Sequence, residues 1–267
     1  MAPQPAGGIG DEPPSPLVQA QYLIYDAWDT PHRAKRLSLA RQALALSPDC
    51  ADAYLQLAED GAESPDEYLA LCRQALAAAA RGLGKERMRE YRGIFWSVVE
   101  TRPYMRARMA LAEALWRTGK PEEAIEQYRA MLRLDRDDRL GVRYRLLSWL
   151  LLLRLDEEAG KLLRRFRGDA LAAWRYSEVL LAFRRTGDTQ EARNLLAGAR
   201  KRNPHVPAYL LRQRPLPSAP PDSILLGDES EAIAYAQDFG EAWQDTSGAL
   251  LWLNRYTSRR SRSAVEK

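Results

Sequence analysis

The sequence predicts an all-α protein built as a solenoid of antiparallel helical hairpins. Three stretches repeat one spacing of apolar residues, and their equivalent positions Leu111, Leu146 and Val179 are 35 and 33 residues apart. A two-helix repeat has a period of about 34 residues. The composition agrees, because a chain rich in Ala, Leu, Arg and Glu with only four Phe is poor material for a sheet.

Within each repeat, apolar residues recur at the three-and-four spacing of an amphipathic helix. Small side chains stand where two helices approach, at Ala112, Ala124, Ala159 and Ala192. Gly119 and Gly187 mark the first and third turns, and acidic residues open the helix that follows, where the helix dipole favours negative charge. The middle turn, 154–158, keeps the acidic start but lacks the glycine. This is the tetratricopeptide pattern.

Four helices are predicted ahead of these repeats. Proline, serine or glycine separates them, as expected at helix ends. The segments are 17–29, 33–46, 51–62 and 65–80. Residues 81–104 are less regular, because glycines and Pro103 interrupt the helical pattern. Phe95 and Trp96 in that segment are expected to fill a gap between hairpins.

The chain divides into four predicted segments. Two further helices, 230–239 and 241–256, are expected after a proline-rich connector, and such elements commonly close the end of a solenoid. The segments are a disordered Pro/Gly-rich leader (1–16), a tetratricopeptide-like repeat domain (17–211), the connector with its capping helices (212–256) and a basic disordered tail (257–267).

Composition also bears on the compartment. The leader has five prolines and lacks the basic-then-apolar order of a secretory signal. No run of about 18 uncharged apolar residues predicts a membrane span. Cys50 and Cys72 are 22 residues apart and form no CxxC pair, so neither a disulfide framework nor a zinc knuckle is expected. A cytoplasmic protein without membrane insertion is therefore predicted.

Three blocks follow one another in the C-terminal part: 203–211 (NPHVPAYLL), 227–236 (GDESEAIAYA) and 248–250 (GAL). In this order they resemble the suppressor of tumorigenicity 7 family, with Glu229 as an extra residue in the second block. Residues 100–108 are similar to soluble bacterial relatives of that family. The resemblance covers 203–253 and extends, through shared repeats, back to about Pro103. It implies a shared architecture and no established enzymatic activity. The role of the animal members, described as membrane-anchored regulators of growth and matrix genes, is not transferred.

In this repeat type the first helix of each hairpin lines a concave groove. Ten residues are expected to line a partner-binding groove: Arg106, Met109, Glu113, Trp116, Tyr144, Ser148, Trp174, Ser177, Leu181 and Arg184, with Leu151 beside them. Aromatic and arginine side chains are enriched at binding hot spots, which makes Trp116, Tyr144, Trp174, Arg106 and Arg184 the preferred anchors. The alternative is that Trp116 and Trp174 pack against neighbouring hairpins.

Two binding modes and the charge distribution limit the choice of partner. Glu113, Ser148 and Leu181 stand where a carboxylate-gripping groove needs asparagines, so capture of a chaperone C-terminus is not expected. Residues 101–204 have 23 basic and 14 acidic side chains, which favours an acidic partner or nucleic acid. Interspersed acids and the absence of a nucleic-acid motif argue against nucleic acid. An unidentified protein or peptide is the expected partner, and self-association is a further possibility.

No catalytic site is expected. The two histidines, His32 and His205, stand near no nucleophile in a recognisable order, and no phosphate-binding, hydrolase or metalloprotease motif occurs. A zinc site would have to combine these histidines with Cys50 and Cys72, without paired ligands at short spacing. The acid at Asp228 is expected to cap a helix. The sequence therefore predicts a non-catalytic scaffold or adaptor that needs no cofactor, with a regulatory protein contacting nucleic acid or an acidic partner as the alternative.

Overall fold

The computed structural model describes residues 13–263, with side chains up to residue 257. Apart from turns and an isolated bridge around Gly93, this part of the chain is helical, so the predicted all-α class is confirmed. Most of the expected leader and the last four residues of the expected tail lie outside the described residues. The chain forms two compact units, 1–142 and 143–267, and the expected continuation into one solenoid stays a prediction.

The first unit contains three helical hairpins. Its helices are α1 (Pro16–Trp28), α2 (Arg33–Leu46), α3 (Ala51–Gly61), α4 (Pro65–Glu90), α5 (Arg102–Arg117) and α6 (Pro121–Leu134). Each helix packs on the next along the chain, and α3 also contacts α1 and α5. The first helices of the hairpins are therefore neighbours, and they form one layer of this unit.

Local sequence explains where these helices begin. Ser15 caps α1 by accepting a hydrogen bond from the Val18 amide, with Pro16 in the first turn. Ser64 caps α4 in the same way. Alanines at the centre of the hairpins, among them Ala40 and the predicted Ala112 and Ala124, are fully buried. Small side chains thus stand where helices approach closely, as the spacing predicted.

The segment 81–104 is not a regular hairpin. α4 continues to Glu90 with a kink at Gly84, whose φ is +73°, and two 3-10 turns follow at Phe95–Ser97 and Val99–Thr101. The Gly93 amide donates to the Leu134 carbonyl at 2.7 Å, which ties the segment to the end of α6. Phe95 is fully buried and meets the Tyr104 ring edge-on at 5.9 Å, which fits the predicted filling role. Trp96 is half-buried.

The second unit contains the remaining helices. They are α7 (Val142–Leu152, whose first residue belongs to the first unit), α8 (Asp156–Arg165), α9 (Ala172–Thr186), α10 (Gln190–Arg202), the short α11 (Val206–Leu210), α12 (Glu229–Gln244) and α13 (Ala249–Ser263). The α9–α10 hairpin forms its centre, and both α12 and α13 pack against α9. The C-terminal helices therefore contact a helix of the third predicted repeat directly.

The bounds of the two C-terminal helices also differ from the sequence prediction. The last break falls between Gln244 and Ala249 rather than after Phe239, because Gly248, with φ +77°, reverses the chain there. α13 also passes Tyr256, its expected end, and reaches Ser263. No glycine or proline interrupts this stretch, so the basic segment continues the helix.

Candidate binding surface

In the second unit, the residues expected to line a groove lie inside the fold. Trp174 and Ser177 have no exposed surface, and Ser148 and Leu151 are also buried. The Ser148 hydroxyl donates to the Asp238 carbonyl of α12 at 2.6 Å. The face of α7 and α9 that was expected to hold a partner is therefore covered by α12 of the same chain.

Arg184 is a structural residue in this arrangement. Its side chain is only 4% exposed and donates to the Leu151 carbonyl (2.9 Å), Asp156 (2.6 Å), Thr246 (2.8 Å) and the Ala242 carbonyl (3.0 Å). These contacts join the end of α7, the start of α8 and the end of α12. Its expected role as a binding anchor is corrected, because all its donor nitrogens are used within the fold.

Tyr144 and Trp174 belong to a second internal cluster. Their rings meet edge-on at 5.4 Å, and the Arg143 guanidinium lies 4.4 Å from the Tyr144 ring centre. The Tyr144 hydroxyl donates to Asp169 at 2.7 Å. Burial and the neighbouring Asp169 carboxylate raise the pKa of Tyr144 above its usual value. Trp174 therefore packs against neighbouring elements, as the alternative interpretation of this residue predicts.

Leu181 is the half-buried exception among the groove residues of α9. It stands between Leu180 and Ala182, which are both buried. Taken with Trp174, Ser177 and Arg184, it leaves α9 with little surface to offer a ligand. The side chains at these positions of the second unit therefore pack mainly within the fold.

In the first unit, Arg106 joins α5 to α3 and α1. Its Nε donates to Asp52 Oδ1 at 2.9 Å and a terminal nitrogen donates to the other carboxylate oxygen. Asp52 is 1% exposed, and it also accepts from the Gln21 amide at 2.9 Å. A buried carboxylate needs such partners, because an unpaired buried charge is strongly unfavourable.

An aromatic ladder, defined here as the exposed Tyr22 and Trp28 and the half-buried Tyr25 of α1, lies beside this ion pair. Ring centres are 6.4 Å apart between Tyr22 and Tyr25 and 5.4 Å apart between Tyr25 and Trp28. Tyr22 is 42% exposed and Trp28 is 47% exposed. The Arg106 guanidinium lies 5.2 Å from the Trp28 ring centre, which is a cation–π distance. A large aromatic side chain is thus held in place while its surface remains accessible.

The other predicted residues of α5 are half-buried. Glu113 accepts a hydrogen bond from the Tyr128 hydroxyl of α6, and Met109 and Trp116 also keep part of their surface accessible. Together with Arg106 they are the predicted groove residues of the first unit. They share a helix with Arg106, whose guanidinium contacts the Trp28 ring of the aromatic ladder.

Two exposed carboxylates flank Trp28 in the sequence. Asp26 and Asp29, at the Trp28 end, are exposed and form no ion pair within the described residues. Burial raises the pKa of Tyr25, an effect that the positive charge of Arg106 opposes. Asp26 and Asp29 are thus exposed carboxylates near the ladder in the sequence, while Arg106 is committed to Asp52.

The repeat spacing predicts Arg106 as a surface residue but does not indicate the ladder. The apolar spacing of 17–29 predicts a short helix without singling out its aromatic residues. Their spacing of three residues (22, 25 and 28) was a usable signal, because positions three apart lie on neighbouring turns of a helix. The buried Asp52 offered no comparable signal in the sequence.

The thiol and imidazole groups are not assembled into a reactive site. Cys50 and Cys72 are fully buried, and burial raises the pKa of their thiols to about 11 and about 12. His32 stands at the start of α2 and His205 at the start of α11. Across residues 13–263, no group of three or more His, Cys, Asp or Glu is placed to hold a metal ion.

The first two of the three blocks that carry the family resemblance meet in one buried network. Glu231, 4% exposed, accepts hydrogen bonds from the Asn203 side chain (2.9 Å), the Ala172 amide (2.8 Å) and the Gly227 amide (2.8 Å). Asp228 caps α12, as the sequence predicted. The motif residues therefore fasten the start of α12 to the α9–α10 hairpin.

The described residues thus form helical hairpins of an all-α protein, with an aromatic surface exposed on α1. The family model described as "ST7 protein" matches residues 15–260, and the chain belongs to this family. The match begins well ahead of Pro103, so it includes α1 to α4 as well as the C-terminal blocks.

Relatives with similar sequences carry the same family name. The chain is 29% identical to "Protein ST7 homolog" of Caenorhabditis elegans, over 88% of this chain and 50% of the nematode protein. It is 30% identical to "Suppressor of tumorigenicity 7 protein-like" of Mus musculus, over 88% of this chain and 46% of the mouse protein. The chain thus spans about half the length of these curated relatives. Their names describe no enzymatic activity.

A comparison with solved structures finds none that matches the chain. Among the described residues, none of the helices combines the length and apolar character that crossing a membrane requires.

Proposed function

We propose that this chain is a non-catalytic scaffold that binds a peptide or helix of a partner protein on the layer formed by α1, α3 and α5. The observation that carries the proposal is the half-exposed Trp28 ring, which Arg106 holds at 5.2 Å while Asp52 fixes Arg106. Fixed aromatic side chains lose little conformational freedom on binding, which is why they are frequent anchors at interfaces.

The position of the surface supports this assignment. α1, α3 and α5 are the first helices of three successive hairpins, and first helices line the binding groove in a tetratricopeptide solenoid. The corresponding face of α7 and α9 is occupied by α12. We therefore place the partner site on Arg106, Met109, Glu113 and Trp116 together with the aromatic ladder. In this proposal, residues 17–211 form the repeat domain and residues 212–256 form the connector and the capping helices.

A selection of displayed peptides tests this function. A library of random 12-residue peptides is panned against the wild-type chain, the double variant Tyr22→Ala/Trp28→Ala and the control Leu251→Ala. Leu251 is 78% exposed in the second unit, so the control removes an exposed apolar side chain elsewhere. We expect one enriched peptide class on wild type and on the control, and loss of that class on the double variant.

Two results would count against the proposal. Enrichment that survives the double variant places binding elsewhere, and the absence of any enriched class on folded wild-type protein contradicts a peptide-binding role. Circular dichroism and thermal unfolding of all three proteins check that the substitutions leave the fold intact. Both substituted ladder residues are half-exposed, so their removal is expected to change stability little.

The alternative, nucleic acid or an acidic partner bound by the basic middle repeats, has weaker support. Arg106, Arg143 and Arg184 pair with Asp52, Asp169 and Asp156, which removes three of the positive charges that suggested it. Binding that weakens steeply with salt would be its mark. A cytoplasmic location is part of the same proposal, and the buried thiols fit it. Self-association through this surface would be a further form of partner binding.

A further inference from the structure

The aromatic ladder has hydrogen-bond donors that the fold does not use. The hydroxyls of Tyr22 and Tyr25 and the indole N–H of Trp28 find no acceptor among the described residues. Several buried aromatic donors are satisfied internally, such as the Trp174 indole by the Leu163 carbonyl and the Tyr176 hydroxyl by the Asn203 carbonyl. The ladder thus combines accessible rings with three hydrogen-bond donors that have no acceptor in the described part of the chain.

This combination fits one backbone conformation especially well. A polyproline II helix makes no internal hydrogen bonds, so all its carbonyls can accept, and it rises about 3.1 Å per residue. It has three residues per turn, so one face repeats about every 9.3 Å, and the ladder, with ring spacings of 6.4 Å and 5.4 Å, is long enough to contact about one full turn. An α-helical ligand has already used most of its carbonyls internally, and could not accept these bonds along its length.

We infer that the aromatic ladder binds a proline-rich segment of a partner protein in the polyproline II conformation. The inference rests on the proposed function and names the chemistry of its ligand. Pyrrolidine rings pack on the faces of Tyr22, Tyr25 and Trp28, and the three donors bond the ligand's carbonyl oxygens. Aromatic-lined surfaces recognise Pro-rich segments in this way because the ligand is extended before it binds and loses little entropy.

Charge specifies one end of the ligand further. Asp26 and Asp29 are exposed near Trp28, while Arg106 is engaged with Asp52 and Arg102 donates to the Trp96 carbonyl. A basic residue next to the prolines would meet these two carboxylates. The ligand is therefore a proline-rich segment flanked by arginine or lysine.

Fluorescence polarisation with synthetic peptides tests the inference on the full chain. The probes are a labelled decaproline followed by two arginines, the same peptide followed by two glutamates, and a Gly-Ser peptide of equal length followed by two arginines. We expect saturable binding of the first probe, at least three-fold weaker binding of the second with a difference that shrinks as salt is added, and no saturable binding of the third.

Matched variants distinguish the contribution of the aromatic rings to binding from that of the hydrogen-bond donors. Tyr22→Phe/Tyr25→Phe keeps both rings and removes two hydroxyls, and we expect it to weaken binding of the arginine-flanked decaproline about five- to ten-fold. Trp28→Ala removes a ring and a donor and is expected to weaken it more than ten-fold. Leu251→Ala, the exposed control in the second unit, is expected to bind like wild type.

Several results would overturn the inference. They are equal binding of the proline and Gly-Ser probes, or unchanged proline binding by Tyr22→Phe/Tyr25→Phe and Trp28→Ala. The displayed-peptide selection separates this failure from that of the proposed function. An enriched class without proline that is lost in Tyr22→Ala/Trp28→Ala would leave the scaffold function standing and reject the proline-rich ligand.

Discussion

Arg106 links a buried charge to an exposed ring. Its guanidinium neutralises Asp52, which is 1% exposed, and lies over Trp28, which is 47% exposed. The same contacts that stabilise α1, α3 and α5 therefore orient the candidate binding residue. At this scale, stability and binding should be separable by substitution, because Asp52 contributes to the first and Trp28 to the second.

Arg106→Ala is expected to lower the free energy of unfolding by about 2–4 kcal/mol, because it leaves the buried Asp52 carboxylate without its cation. Asp52→Asn/Arg106→Ala should recover part of this loss, since the buried negative charge is gone. Urea unfolding of the two single variants and the double variant measures the coupling. Additive losses from both positions would show that the pair does not act as a unit.

Glu231→Gln tests the buried network behind the family blocks. The wild-type carboxylate accepts hydrogen bonds from two backbone amides and the Asn203 side chain. A glutamine has one oxygen and one NH₂ group, so its NH₂ would face one of these N–H donors. We expect a loss of about 1–3 kcal/mol in the free energy of unfolding. Glu241→Gln, an exposed change on the same helix, is the control, and equal stability of both variants would contradict the network's role.

At the scale of elements, turn geometry decides where hairpins close. Gly119 and Gly187 have φ of +72° and +67°, and Arg154 takes the equivalent place in the middle turn with φ of +57°. The glycine missing from the sequence pattern there is thus replaced by a strained arginine, and the hairpin bend is kept. Side-chain contacts support the bend, since Arg154 also donates to the Asp245 carbonyl.

Gly227→Ala is expected to destabilise the second unit by about 2 kcal/mol or more. Its φ is +80°, and an added Cβ would stand 2.9 Å from the Arg202 carbonyl oxygen. Gly198→Ala offers the matched control within α10, where an added Cβ meets nothing within 4 Å, and helix propensity should make it neutral or stabilising. Thermal unfolding compares the two, and a neutral Gly227→Ala would contradict the close approach.

Asp188 connects the α9–α10 turn to α13 and should make that contact sensitive to acid. Hydrogen bonds from Arg193, then from Trp252 and Tyr256, lower its pKa from 3.8 to about 2. A lowered pKa in the folded state stabilises the protein above the unfolded pKa, and the contribution disappears as the pH falls from about 4 toward 2. Urea midpoints from pH 5 to pH 2 should therefore fall more for wild type than for Asp188→Asn. Parallel curves would contradict this role.

At the scale of the whole molecule, the chain uses one hairpin layer for its own packing and leaves another accessible. α12 covers the face of α7 and α9 in the second unit, and the aromatic ladder is exposed in the first. The predicted groove positions of α7 and α9 are thus covered in the second unit, whereas Tyr22 and Trp28 are exposed in the first.

Helical periodicity predicted the class and most helices, because the signal lies within about fifteen residues of sequence. It predicted α5 and α6 and the small residues between them. The location of the site depended on contacts over longer distances along the chain: Ser148 is covered by Asp238, 90 residues away, and Arg106 is fixed by Asp52, 54 residues away. No local pattern shows that Trp174 is buried while Trp28 is exposed.

The most direct test of the account is hydrogen exchange with and without a saturating peptide from the selection, followed by mass spectrometry of fragments from both units. Binding at the aromatic ladder predicts slower exchange in α1 and α5, with α7, α9 and α12 unchanged, and loss of the effect in Tyr22→Ala/Trp28→Ala. Protection confined to the second unit, or equal protection in that double variant, would contradict the assignment of the partner site to the first unit.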